Sequence, residues 1–144
     1  MSAFEIAVSV RTYELDMLGH VNNAVYLNWL EQGRLAAMEA CGYAVRSLKQ
    51  DWLTNIVRIE VDWRQATHYG DDLVVTTSLE SVGTTSFRLR GDVLRLPDRE
   101  IVATSLAVLV WLDDEGRPSP LPTDFETRWR RGPRDDGART QGGT

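Results

Sequence analysis

The stretch NNAVYLNWLEQGRLAAMEACG, residues 22–42, decides the fold, because its apolar residues recur at helical spacing while the rest of the chain alternates. Tyr26, Trp29, Leu30, Gly33, Ala37, Ala40 and Cys41 share one face of a helix that runs from about residue 24 to 41. Asn22 and Asn23 are candidate N-caps, and Gly42 stands where a helix end calls for a left-handed residue. Gly33 costs about 1 kcal/mol relative to alanine inside a helix, so a close approach to another backbone is its motive.

On either side the period changes to two. Phe4, Ile6, Val8 and Val10 alternate with polar residues across 4–11, and Val57 to Arg64 repeats the pattern. Three more runs, near 72–80, 85–95 and 100–112, are rich in Val, Leu, Thr and Ile, with the short turns Ser81-Val82-Gly83-Thr84 and Pro97-Asp98-Arg99-Glu100 between them. The order is one strand, one long helix and a meander of four strands. It predicts an α+β protein in which an antiparallel sheet of about five strands wraps one long central helix. Ile101 to Leu112 is apolar on both faces, as a central strand is, so subunit association is expected to cover its second face. PTDFETRWRR, after Leu121, predicts a short final helix. Residues 1–130 are read as a single domain and 131–144 as a disordered tail with little to bury.

Composition bounds the function. With 42% apolar and 26% charged residues, the 144-residue chain is ordinary for a globular protein and large enough to bury a core without disulfides. A net charge of -5 with scattered arginines argues against a nucleic-acid partner. No apolar run approaches the roughly 20 residues of a membrane span, and MSAFEIAVSVRTYELD carries Glu5 where a cationic leader is wanted. The expectation is a cytoplasmic protein without a membrane partner. Two histidines and one cysteine far apart give no metal-site spacing, and no G-x-S-x-G elbow occurs. Cys41, last in the apolar stripe, reads as packing.

Chemistry concentrates between the first strand and the helix, in Tyr13-Glu14-Leu15-Asp16-Met17-Leu18-Gly19-His20-Val21-Asn22-Asn23. A helix N-terminus offers N–H groups with roughly half a positive charge, suited to the oxyanion formed when a carbonyl, such as that of a thioester, is attacked. A carboxylate just upstream can attack the carbonyl carbon or take a proton from an attacking water. A thiolate leaves readily, so one carboxylate and one oxyanion site suffice.

The segment from Arg11 to Tyr26, RTYELDMLGHVNNAVY, resembles the signature of 4-hydroxybenzoyl-CoA thioesterase-like proteins. The resemblance continues through Trp29 and Arg34, returns at Ala66-Thr67-His68-Tyr69-Gly70-Asp71-Asp72-Leu73, and agrees in strand order to about residue 112. It implies a hot-dog fold, a homodimer or homotetramer, and hydrolysis of acyl-CoA or acyl-carrier-protein thioesters, with no cofactor beyond the CoA or phosphopantetheine of the substrate. Carried over, the catalytic aspartate falls on Asp16 and the carbonyl-polarising backbone N–H on Asn23. Tyr26 and Arg34 are similar in spacing to a tyrosine and an arginine of thioesterases that release enediyne and methylketone polyketides, where the aspartate can be asparagine; here it is kept.

His20 is a further candidate, to orient Asp16 or the substrate; Gly19 and Asn22 are candidates for substrate contact. Arg88 and Arg90, two apart in SFRLRGD, point the same way from a strand and can form an anion site. Each also has a plain structural use. Asp16 can cap a turn, His20 can be a hydrogen-bonded loop residue, and Asn22 and Asn23 can be caps alone. Tyr26 can be core, Arg34 can pair with Glu31, and Arg88 and Arg90 can be a solvated strand face. Asp71-Asp72 reads as a solvated turn. Trp52, Trp63 and Tyr69 either shape an aromatic or medium-chain pocket or belong to the core.

Rival functions are release of a polyketide or 3-oxoacyl chain from a carrier protein, and non-catalytic binding of an acyl ligand. A hot-dog dehydratase needs a histidine and carboxylate in a different motif, which the sequence lacks.

Overall fold

Helix α1 (Asn23–Ala40) lies where the spacing predicts, one residue earlier at each end. The structure, a computed structural model, describes residues 3–43 and 53–132. Asn22 is the N-cap, and its side chain accepts the Ala24 N–H at 2.9 Å. At the other end Gly42 has φ +94°; its N–H donates to Glu39 O, and the Tyr43 N–H donates to Met38 O, both at 2.9 Å. These paired bonds close the last turn through a left-handed residue.

The strands are β1 (Phe4–Ser9), β2 (Leu53–Trp63), β3 (Asp72–Val82), β4 (Ser86–Arg95) and β5 (Glu100–Leu112), all antiparallel in the order β1-β3-β4-β5-β2. β3, β4 and β5 form the expected meander, but β2 stands outside it, paired with β5 at the far edge. Alternation fixes which face a side chain takes and not which strand lies beside it, so this crossover was beyond the sequence pattern. β1 ends two residues early because the chain enters a 3-10 turn, Thr12–Glu14, in which the Arg11 N–H donates to Glu14 Oε1 at 2.6 Å. β2 begins earlier than predicted, and Val57 is the extra residue of a bulge.

α1 packs against β1, β3 and β4. A Cβ on Gly33 would lie 2.7 Å from Val75 Cγ1 and 2.9 Å from Thr77 Oγ1, so the helix can rest on β3 only because no side chain intervenes. The core divides in two. Tyr26, Trp29 and Leu30 meet Val75, Val93 and Val102 under the start of the helix, and Ala37, Met38 and Cys41 meet Phe87 and Leu89 under its end. Helix α2 (Phe125–Arg130), as expected after Leu121, closes the second cluster with Phe125 and Trp129, the latter edge-on to Phe4 at 5.2 Å. On β5, Val102, Ala103, Ala107 and Leu109 are buried, while Leu106, Val108 and Val110 on the outer face are half-buried. No helix among the described residues is long and apolar enough to cross a membrane. Of the expected 131–144 tail, Arg131 and Gly132 continue from α2, their N–H groups donating to Thr127 O and Trp129 O at 3.2 Å, while Trp52 and residues 133–144 lie outside the described residues.

Candidate active site

After the 3-10 turn, Leu15 and Val21 pair across a tight loop that carries Asp16. The Asp16 N–H donates to His20 O at 2.7 Å, and the Gly19 N–H donates to Asp16 O at 3.1 Å. Gly19 has φ +77°, a conformation in which a side chain is strained, so its role in the structure is the turn itself. The Asp16 carboxylate accepts the Leu18 N–H at 2.8 Å and the His20 N–H at 3.1 Å, both on Oδ1. Among the described residues Oδ2 has no partner. Asp16 therefore caps its own loop and still presents one exposed carboxylate oxygen.

The same loop delivers the chain to the start of α1. There the Asn22 N–H donates to Glu14 O, the Ala24 N–H to the Asn22 side chain, and the Val25 N–H to Asn22 O, each at 2.9 Å. The Asn23 N–H is left without an acceptor among the described residues, at the positive end of an eighteen-residue helix. Trp63 fixes the other side of that residue, its Nε1 donating to Asn23 O at 3.2 Å.

Asp16 and Asn23 line one cleft of about 220 Å³, together with His20, Tyr26, Trp63 and Arg64. The Tyr26 hydroxyl lies 2.7 Å from Thr67 Oγ1, both residues being buried, so Tyr26 braces the cleft from the core. His20 orients Asp16 through its backbone; its ring stands edge-on to His68 with centroids 5.0 Å apart. A residue with an unpartnered carboxylate oxygen and a residue with a free helix-terminal N–H, lining one cleft, are the two groups that attack on a carbonyl calls for when its oxygen gains negative charge.

Other predicted residues fall elsewhere. Gly91 faces α1, where a Cβ would lie 3.0 Å from Leu30 Cδ2; Arg88 and Arg90, one residue to either side of Leu89 and Gly91, therefore face the opposite, outer side of the sheet. There they line clefts with Arg58, Glu60 and Leu106, apart from Asp16, and Arg90 pairs with Asp92 at 3.4 Å. Arg34 is buried on α1 and does not line the Asp16 cleft; burial lowers its pKa, partly offset by Glu31, with which it forms no ion pair. Asp71, read as solvated, accepts the His68 N–H at 2.9 Å and Arg95 at 3.4 Å. Trp63 reaches the cleft, Tyr69 is exposed, and Cys41 is buried in the core. Arg64 and Gln65 also line the cleft, and neither stood out in the sequence, because no period or spacing marks a crossover loop.

A family model described as the thioesterase-like superfamily matches residues 10–128, which span both Asp16 and Asn23. The chain belongs to that superfamily. This thioesterase is 31% identical to a chloroplastic acyl-acyl carrier protein thioesterase of Arabidopsis thaliana over 90% of its own length and 69% of the relative's. A second Arabidopsis enzyme of the same description is 29% identical, with 64% of its length covered, so the chain spans about two thirds of these plant relatives. It is 30% identical to the long-chain acyl-CoA thioesterase FadM of Escherichia coli, covering 74% of this chain and 80% of FadM. Among solved structures, a Thermus thermophilus thioesterase complexed with coenzyme A and Zn is 33% identical with a TM-score of 0.75, over 88% of this chain and 92% of that one. A predicted thioesterase from Bacillus stearothermophilus is 30% identical with a TM-score of 0.81, over 90% and 96%. The sheet wrapped on α1 is thus the hot-dog fold of thioesterases.

Proposed function

We propose that this thioesterase hydrolyses an acyl-CoA to free acid and CoA, with Asp16 as the reacting carboxylate and the Asn23 N–H as the oxyanion donor. One observation carries the reading: Asp16, which keeps a carboxylate oxygen without a partner, and Asn23, whose helix-terminal N–H has no acceptor among the described residues, line the same cleft. As general base, Asp16 takes a proton from water while the water oxygen bonds to the carbonyl carbon; the tetrahedral oxyanion forms at Asn23. Collapse re-forms the carbonyl and breaks the carbon–sulfur bond, and the thiolate leaves. As nucleophile, Asp16 bonds to the carbonyl carbon and expels the thiolate, forming an acyl anhydride that water then opens to the free acid and the regenerated carboxylate. Neither route requires a resident metal or cofactor. Tyr26 supports the cleft wall in this scheme, and Arg34 is given no step.

Free-thiol release from hexanoyl-, palmitoyl-, benzoyl- and 3-oxododecanoyl-CoA tests the reading. Wild type is expected to turn over at least one, and Asp16→Asn to lose about a hundredfold or more in kcat. Asp16→Asn turnover at the wild-type rate would remove Asp16 from the chemistry.

Release of an acyl or 3-oxoacyl chain from a carrier protein is the second reading, favoured by the likeness to the plant acyl carrier protein thioesterases. Preference for acyl-carrier protein over the matching CoA ester would establish it. The proposal includes a homodimer or homotetramer and a cytoplasmic setting. Association is supported by β2, a sheet edge of eleven residues on which Ile56 and Val57 are exposed.

A further inference from the structure

Between β2 and β3 the chain crosses the end of the sheet over residues 64–71, without regular secondary structure, and forms one wall of the Asp16 cleft through Arg64, Gln65 and Ala66. Arg95, the last residue of β4, holds this crossover with both ends of its guanidinium. Nη1 donates to Ala66 O at 3.0 Å and to Asp71 Oδ2 at 3.4 Å; Nη2 donates to Gln65 Oε1 at 2.7 Å and to Glu100 Oε2 at 2.9 Å. The partners are joined to one another, Gln65 Nε2 to Glu100 Oε1 at 2.6 Å and the His68 N–H to Asp71 Oδ2. The Arg95 side chain is only 23% exposed. A planar, partly sheltered fork with four acceptors fixes direction as well as distance.

From the crossover, contacts lead on to Asp16. Thr67 O accepts the Val21 N–H at 2.9 Å, and His68 pairs with His20 as an isolated antiparallel bridge. His20 in turn meets Asp16 at two points, giving its N–H to Oδ1 and accepting the Asp16 N–H on its carbonyl.

We propose that Arg95 is a positioning residue of the thioesterase reaction: it sets the crossover against His20 and, through the His20 backbone, aims the Asp16 carboxylate. Arg95 does not itself line the cleft. The inference rests on Asp16 being the reacting carboxylate.

The test is a double-mutant cycle on whichever panel CoA ester wild type hydrolyses fastest, run well below each variant's melting temperature. Arg95→Ala is expected to lower kcat about tenfold or more while KM moves less than about threefold, and to cause almost no further loss when added to Asp16→Asn. Arg95→Gln, which keeps an amide donor for Ala66 O, is read the same way should Arg95→Ala not fold. Arg99→Ala, which breaks only the exposed pair with Glu5 on the neighbouring turn, keeps wild-type rates. Wild-type kcat in Arg95→Gln and Arg95→Ala, a change in KM alone, or an equal fold-loss in both Asp16 backgrounds overturns the proposal. A fully active Asp16→Asn, or a wild type that hydrolyses no panel member, removes the Asp16 reading and this proposal with it. An inactive Asp16→Asn beside undisturbed Arg95 variants overturns the proposal alone.

Discussion

In the proposed reaction Asn23 acts through its backbone, and that makes its role separable from its side chain. Asn22 has ψ 134°, the extended setting that a following proline requires, and Asn23 is the first helical residue, where proline is well accommodated. Asn23→Pro therefore deletes one N–H and little else. The expected result is a fall in kcat of about a hundredfold or more with a melting temperature near wild type, whereas Asn23→Ala keeps its rate. Cys41 illustrates the opposite case, a reactive residue type with no reactive setting. Burial pushes its thiol up to about 12, so at pH 8 roughly one molecule in ten thousand carries the thiolate, against about a quarter for an exposed thiol. Labelling by a neutral thiol reagent at pH 8 should be at least a hundredfold slower in the native protein than in denaturant. Because the folded thiol titrates higher than the unfolded one, its contribution to stability is complete below pH of about 8.5 and falls as pH rises toward 12.

At the scale of elements, α1 is held by its caps and by the contact that Gly33 permits. Alanine there gains about 1 kcal/mol of helix propensity but drives a methyl to 2.7 Å from Val75 Cγ1 on a packed strand. Overpacking of this kind costs about 1–3 kcal/mol, so Gly33→Ala is expected to lower the melting temperature despite the better helix former. α2 is held differently. Phe125 and Trp129 are buried, and Arg128 stacks over Tyr43 while donating to Asp124 at 2.7 Å. That hydrogen bond holds the Asp124 carboxyl below its ordinary range. A depressed carboxyl stabilises above its unfolded pKa, near 4, and loses that contribution as pH falls through its folded value. Trp129 fluorescence is expected to report loosening of α2 below about pH 4, and Asp124→Asn to reduce that pH dependence, the Glu126–Arg130 pair remaining.

For the whole molecule, the uneven cover of the sheet is the governing fact. α1 packs on β1, β3 and β4, while β2 forms an edge of eleven residues with Ile56 at 45% exposure and Val57 at 61%. Such an edge is a template for a second copy, and a lysine on it is a common guard against pairing. In the proposed homodimer or homotetramer, Val57→Lys is expected to shift sedimentation toward the monomer.

Hydrophobic period and cap chemistry are local properties of the chain, so the sequence by itself determined α1 to within one residue at each end, the five strands, and the polar segment that carries Asp16 and Asn23. Resemblance in that segment named the family. Neighbours in space are another matter. That β2 lies beside β5, that the 64–71 crossover meets His20, and that Arg95 grips it depend on strand order. So does the turning of Arg88 and Arg90 away from the cleft, since a period of two places both arginines on one face without saying which face meets the helix. Only the assembled sheet decided these, because long-range pairing is selected by the packing of the whole core and leaves no period in the sequence.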